Sequence, residues 1–276
     1  MKNVKIGFVI WCIVASLLAV GVVSYTVYGI VVSGEVNSRD LFKALLVLCG
    51  LGATLVRIFA ATKQKKVSDE VLRESYDHII GNAFLRDRAM EKRFFKAVRL
   101  RNQDQYGKAI RIFGKMEPLC KSSDERFAVI FFEALCYGDM NFCERAAALY
   151  ESALTYRENS TAASNMGNAY ERLGRSEDAV SAYRYAIRIE PKNPYPYNNL
   201  AQLYIKEGNY PEAIVYAEQA LTYKDNMVQA WNALTVAYAM MEYTEDYEQA
   251  LHRAVANGSD RERLLSYIRS LGADVS

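Results

Sequence analysis

Residues 160–193 read STAASNMGNAYERLGRSEDAVSAYRYAIRIEPKN, and residues 194–227 read PYPYNNLAQLYIKEGNYPEAIVYAEQALTYKDNM. The two stretches superpose without a gap, Tyr170 on Tyr204, Gly174 on Gly208, Ala179 on Ala213 and Ala186 on Ala220. Carried outward, the register collects Tyr137 and Tyr238, and likewise Ala153 and Ala254, with steps of 33, 34 and 34 residues in both series. A period of that length marks a stack of helical hairpins, each too small to bury its own apolar face and each completing its neighbour's core. Small residues at Gly167, Ala201, Ala179, Ala186, Ala213 and Ala220 predict close approach of the paired helices, with Tyr and Leu filling the gaps. Gly174 and Gly208 fall where the chain reverses.

The run Met166-Gly167-Asn168-Ala169-Tyr170, followed by Gly174, Ala179, Tyr183, Ala186 and Pro191, resembles a complete tetratricopeptide repeat. The next unit repeats it with Tyr197, Leu200, Ala201, Tyr204, Gly208, Ala213 and Ala220, and a further one begins at Trp231, Leu234, Thr235 and Tyr238. Upstream, Ala97, Leu100, Ala109, Phe113 and Met116 each lie 37 residues before Ala134, Tyr137, Ala146, Tyr150 and Ala153. The resemblance implies an all-α fold, a right-handed superhelix of about five helical hairpins over residues 84–258, with units near 84–123, 124–159, 160–193, 194–227 and 228–258. Ser259-Asp260 then starts a capping helix of about residues 261–271 within 259–276. Three residues depart from the pattern: Glu133 where a large apolar residue is usual, and Glu242 and Tyr247 where Gly and Ala are usual.

The chain's first fifth is of different composition. Ile6 to Val32 is 27 residues without a charge, about 40 Å of helix against a hydrocarbon core of about 30 Å, and it reads as a transmembrane span rather than a cleaved signal. A second apolar segment, residues 41–61, contains Lys43 and Arg57. It spans if both cations snorkel to opposite interfaces, and otherwise lies on the membrane surface as an amphipathic helix. Lys2 and Lys5 precede the first segment, while Arg57, Lys63, Lys65 and Lys66 follow the second. The positive-inside tendency therefore predicts a two-helix transmembrane hairpin over residues 1–62, multi-pass in a cell membrane, with both termini and the repeats cytoplasmic. Residues 63–83 read as a basic linker helix, and Lys63, Lys65 and Lys66 as contacts to anionic lipid at the membrane surface.

From Arg57 to Met116 the chain carries 15 Lys and Arg against 7 Asp and Glu, and from Glu117 to Ser276 it carries 15 against 23. Acidic repeats whose tyrosines sit at periodic core positions disfavour nucleic acid. Five cysteines, Cys12, Cys49, Cys120, Cys136 and Cys143, are an odd number without paired spacing, the usage of reduced, packed thiols. The two histidines, His78 and His252, have no ligand partners at metal spacing, and no phosphate loop or nucleophile motif occurs. The reading is of a protein that is no enzyme, with no cofactor, metal or small-molecule substrate.

What remains is a binding surface. In the family resembled, the first helix of each pair lines the concave face and receives a peptide. Helical spacing places Thr161, Asn165, Asn168 and Arg172 in one stripe and Tyr195, Asn199, Gln202 and Lys206 in the next, with Asn198 and Asn232 at the margin. Amide side chains both donate and accept, so such a row suits the backbone of an extended peptide. The function expected is a membrane-anchored adaptor or scaffold that recruits a protein or peptide partner. The alternative is a subunit of a membrane complex assembled through the hairpin, where Ala15, Ala19, Gly50, Gly52 and Thr54 would let helices pack closely.

Overall fold

In the computed structural model residues 69–275 are described, and they form twelve α-helices and no strand. Both apolar segments, Lys63, Lys65 and Lys66, and Cys12 and Cys49 lie outside the described residues. Among the described residues no helix is long and apolar enough to cross a membrane. Helix α1 spans Asp69–Ile80. Five hairpins follow: α2 (Arg88–Arg101) with α3 (Tyr106–Met116), α4 (Ser123–Asp139) with α5 (Cys143–Tyr156), α6 (Ser160–Arg172) with α7 (Ser176–Ile189), α8 (Pro194–Lys206) with α9 (Tyr210–Tyr223), and α10 (Val228–Met240) with α11 (Thr244–Ala256). A short 3-10 turn, Glu117–Leu119, joins the first hairpin to the second, and α12 (Arg261–Ser270) closes the series. The architecture is the all-α repeat solenoid that the period implies.

Two local devices repeat along it. Four of the five first helices begin on a side chain that caps a free backbone N–H: Asp87 accepts from Met90 (3.0 Å), Ser122 from Glu125 (3.2 Å), Asn159 from Ala162 (2.9 Å) and Asn193 from Tyr195 (3.1 Å). Each first helix ends at a residue of positive φ: Asp104 (57°), Asn141 (64°), Gly174 (72°), Gly208 (72°) and Glu242 (59°). The next N–H then returns to the carbonyl of Leu100, Tyr137, Tyr170, Tyr204 or Tyr238, at 2.9 Å in all five hairpins. This six-to-one closure satisfies a carbonyl that the helix end would leave unpaired. It also lays the following side chain on the ring of the periodic tyrosine. Phe142 meets Tyr137 at 6.3 Å between ring centroids and Tyr243 meets Tyr238 at 6.2 Å, while the Arg175 guanidinium lies 4.6 Å from the Tyr170 centroid. The tyrosine series therefore packs between helices with its ring and holds the turn with its carbonyl.

The first half of the core is built on phenylalanine. Phe94 is buried and touches Phe84, Phe113 and Phe132 with centroids 4.9, 5.8 and 5.0 Å away. The second half is built on alanine, with Ala179, Ala213, Ala217, Ala237 and Ala250 buried. Gly167 stands between the two. A Cβ there would lie 2.5 Å from Cε1 of the fully buried Tyr183 ring, so close packing of α6 on α7 requires glycine. Alanine or threonine takes the same position where the residue sixteen further on is Phe113, Tyr150, Ala217 or Leu251, at Ala97, Ala134, Ala201 and Thr235.

The N-terminal end of the described chain differs from a simple linker running into a helix at Phe84. Phe84 sits in a turn at φ 64° with its side chain buried, and α2 starts only at Arg88, after the Asp87 cap. Helix α1 buries Leu72, Ile79 and Ile80 in the phenylalanine core. Arg157, at the end of α5, donates to Asp124 (2.9 Å) and to the Ile79 carbonyl, with its guanidinium 4.0 Å from the Phe127 centroid. Arg73 donates to Glu91 and to the carbonyls of Gly81 and Ala83. Glu133, the charge at an apolar position, is buried, and desolvation, reinforced by Glu117 and opposed by Arg145, pushes its carboxyl up. Cys120, Cys136 and Cys143 are buried free thiols; burial pushes Cys136 up to about 12 and Cys120 up to about 11.

Candidate functional site

The first helices of successive hairpins touch directly, α6 on α8, α8 on α10, and α10 on α12. First helices that meet their counterparts in the next unit lie on the inside of the curve, so α6, α8 and α10 line the inner face and α12 extends it.

The stripes read from the sequence do face one another there, but they are already partly joined. Asn168 Oδ1 accepts from the Tyr183 hydroxyl (2.7 Å) and from Asn199 Nδ2 (3.1 Å). Tyr183 Oη also lies 2.9 Å from Glu171 Oε2, and the other Glu171 oxygen accepts from Lys206 Nζ. One network thus ties the third hairpin to the fourth through Asn168, Asn199, Glu171 and Lys206. Burial, with Glu171 beside it, pushes the Tyr183 hydroxyl up and keeps it protonated as a donor. Arg172 donates to the Gly138 carbonyl (3.0 Å), which links the second and third hairpins. Tyr195 is 54 % exposed, and Lys224 lies over its ring at 5.2 Å.

Asn198 is not at the margin. It is 4 % exposed, and its Oδ1 has no hydrogen-bond partner. Ser164 Oγ and Asn232 Oδ1, at the equivalent positions 34 residues before and after, are likewise enclosed and unpaired. An enclosed polar atom without a partner costs about 1–3 kcal/mol, so three in one register on the inner helices are a feature of the face. The spacing of Ser164, Asn198 and Asn232 was the signal for them.

Two hollows flank the network. One, of about 360 Å³, lies between the second and third hairpins and is lined by Gly138, Asp139, Tyr150, Asn165, Asn168 and Arg172 among others. Burial dominates in pushing the Tyr150 hydroxyl up, with Arg101 and then a hydrogen bond from Asn165 acting the other way. The larger groove, about 610 Å³, lies between α8, α10 and α12. Ile205, Val236 and Leu264 contribute apolar surface to it, and Gln202, Lys206, Gln229 and Asn232 contribute polar groups. Asp260, Arg263 and Tyr267 line its far side. Helix α12, read from the sequence only as a lid, is therefore one wall of the groove. A capping helix gives no periodic signal from which that second role could be read.

Residues 167–208 match the family model described as TPR repeat, and residues 194–226 the one described as tetratricopeptide repeat. The chain is 25 % identical over 129 residues to the TPR repeat-containing protein MJ1428 of Methanocaldococcus jannaschii, which covers 46 % of this chain and 22 % of that protein. It is 30 % identical over 97 residues to the BBSome complex member bbs-4 of Caenorhabditis elegans, covering 34 % of this chain and 20 % of that one. It thus spans about a fifth of the length of each. Among solved structures it is similar to YrrB, described as a TPR protein with an unusual peptide-binding site, with a TM-score of 0.53 and 17 % identity over 73 % of this chain and all of that one. That likeness is one of fold.

Proposed function

We propose that this chain, a tetratricopeptide-repeat protein, is a membrane-anchored adaptor that recruits a protein or peptide partner in the groove between α8, α10 and α12. The observation that carries the reading is the groove itself, with apolar side chains beside Gln202, Gln229 and Asn232. An extended segment entering it would bury alternate side chains against Ile205, Val236 and Leu264 and offer backbone N–H groups to the amides. The peptide-binding site in the description of YrrB supports the class of ligand. Asn168 and Asn199, already bonded to each other, fix the spacing of the two helices; Tyr195, Gln202, Lys206 and Asn232 are the contact residues. Anchoring rests on the 27 uncharged residues from Ile6, and the basic residues flanking the two apolar segments support a cytoplasmic solenoid.

Site-specific photocrosslinking in native membranes tests this. A photoreactive residue replacing Gln229 in the groove should give an adduct with one partner, and the same residue replacing Gln219 on α9 should not. The same adduct from both positions, or none from Gln229, overturns the groove reading. If the partner instead dissociates when Gly50 is changed to Leu, assembly through the apolar segments takes its place.

A further inference from the structure

The first hairpin carries a surface that the groove does not use. Positions 93 and 96 continue two series that later hairpins enclose, Ile130, Ala163 and Tyr197 in one and Glu133, Leu200 and Leu234 in the other. Here they are Arg93 and Lys96, and both are exposed. Helix α3 adds Lys108, Arg111 and Lys115, exposed within about 60° of one another around its axis, and it contains no acid. Together α2 and α3 carry nine Lys and Arg against Glu91 alone, which Arg73 of α1 already holds. Lys108 Nζ donates to Gln105 (2.8 Å), and none of these five exposed cations forms an ion pair among the described residues. The face is open, since a Cβ at Gly107 or Gly114, beside Arg111 on α3, would meet nothing within 4 Å. At one end of it Leu85 and Leu119 are 61 % and 49 % exposed, on segments brought together by Lys121 and Asp87 (3.5 Å).

The acids nearby lie on another side or are engaged. Glu70, Glu74 and Asp77 belong to α1, which packs on α2 and α4. Arg93 and Lys96 stand roughly 140–160° around α2 from Glu91, where Arg73 attaches α1. Asp104 accepts from the Tyr106 hydroxyl (2.7 Å), and Glu117, exposed, is the one acid of the turn that follows α3. A polar end face suffices to cap a stack of repeats, and α12 supplies one at the other end with Arg261, Glu262 and Arg263, of both signs. Charge of a single sign spread over two helices instead matches a partner that is itself an extended anionic surface. Only residues 62–68 join α1 to the second apolar segment, at most about 25 Å of extended chain. We propose that this face of the first hairpin docks on the anionic headgroups of the membrane. Arg93, Lys96, Lys108, Arg111 and Lys115 lie over the lipid phosphates, and Leu85 and Leu119 dip among the headgroups. The inference rests on the anchored reading above and is independent of what the groove binds.

The full chain reconstituted in vesicles tests this, with a fluorescent residue replacing Gly114 and a lipid spin-labelled on its headgroup as quencher. In phosphatidylcholine mixed with phosphatidylglycerol the fluorophore should be quenched, and in phosphatidylcholine alone it should not. The same residue replacing Gln219 on α9 should be quenched in neither. Arg111→Gln combined with Lys115→Gln, both exposed and outside the core, should lower the ratio of docked to undocked chains about tenfold or more. Equal quenching with and without phosphatidylglycerol reflects the tether alone and overturns the proposal, as does no quenching at all or quenching unchanged in the double variant. An alkaline wash separates docking from anchoring. A chain that stays with the vesicles unquenched keeps the anchor and loses the docking face, whereas a quenched chain released by alkali keeps the docking face and loses the anchor.

Discussion

Replacing Gly167 by alanine puts a methyl carbon 2.5 Å from Cε1 and 2.7 Å from Cδ1 of Tyr183. Carbon contacts sit at about 3.5–4.0 Å, so the ring or the helix must withdraw by about 1 Å. The ring has nowhere to turn, since it is fully buried and its hydroxyl is engaged by Asn168 and Glu171. Overpacking of this kind costs about 1–3 kcal/mol, whereas alanine in a helix interior gains about 1 kcal/mol over glycine. The net effect expected is a loss of up to about 2 kcal/mol. In a Tyr183→Ala background the obstacle is gone, the pair matches Ala201 and Ala217 of the fourth hairpin, and the same change should stabilise by about 1 kcal/mol. Chemical denaturation of the four chains, followed by circular dichroism in micelles, gives the coupling energy, expected at about 1–3 kcal/mol. Gly114→Ala, within α3 and with nothing within 4 Å of the added carbon, serves as the control that gains from propensity alone. If Gly167→Ala changes stability equally in both backgrounds, the glycine is not there for the tyrosine.

Glu242→Gly relieves a side chain held at φ 59° and should stabilise by about 1 kcal/mol; an unchanged denaturation midpoint would show that Glu242 carries no strain. Arg157→Ala removes the bonds to Asp124 and the Ile79 carbonyl and the stack on Phe127. Hydrogen exchange in residues 69–80 should then rise about tenfold or more while α8 to α11 keep their protection, and an α1 that stays protected refutes the fastening. Glu133 has a carboxyl raised above the ordinary 4.5, chiefly by burial. The native state therefore keeps a proton that the unfolded chain has lost, and stability falls as pH rises from about 4.5 through the raised native value. Glu133→Gln should flatten that fall and leave the chain more stable than the parent at about pH 7, with a parallel pair of pH profiles as the contrary result.

The solenoid was legible because its signal is redundant: Tyr137, Tyr170, Tyr204 and Tyr238 repeat one role, and any two of them set the register. The left-handed turns were legible only at Gly174 and Gly208. Asp104, Asn141 and Glu242 adopt the same conformation under tertiary constraint, and their side chains do not announce it. The docking of α1 was not readable, because four aliphatic residues in twelve, in the pairs Val71-Leu72 and Ile79-Ile80, are too few to separate a packed helix from a linker. On the inner face, one residue of helix is about 100° of rotation, and that angle separates the buried Asn198 from the half-buried Asn199. Spacing named both, but it could not tell which of them the neighbouring helix would cover. Nor could it show that Asn168 and Asn199, 31 residues apart, satisfy each other.

The fastening of α1 also sets a load path. Tension entering the solenoid at Asp69 reaches the carbonyl of Ile79, and from there it passes through the Arg157 guanidinium to the end of α5, two hairpins into the stack. The first hairpin is held at the same time, by Arg73 on Glu91, so the chain should not peel repeat by repeat from that end. It should hold until the clamp around Arg157 shears, and then lose its first two hairpins in a single step.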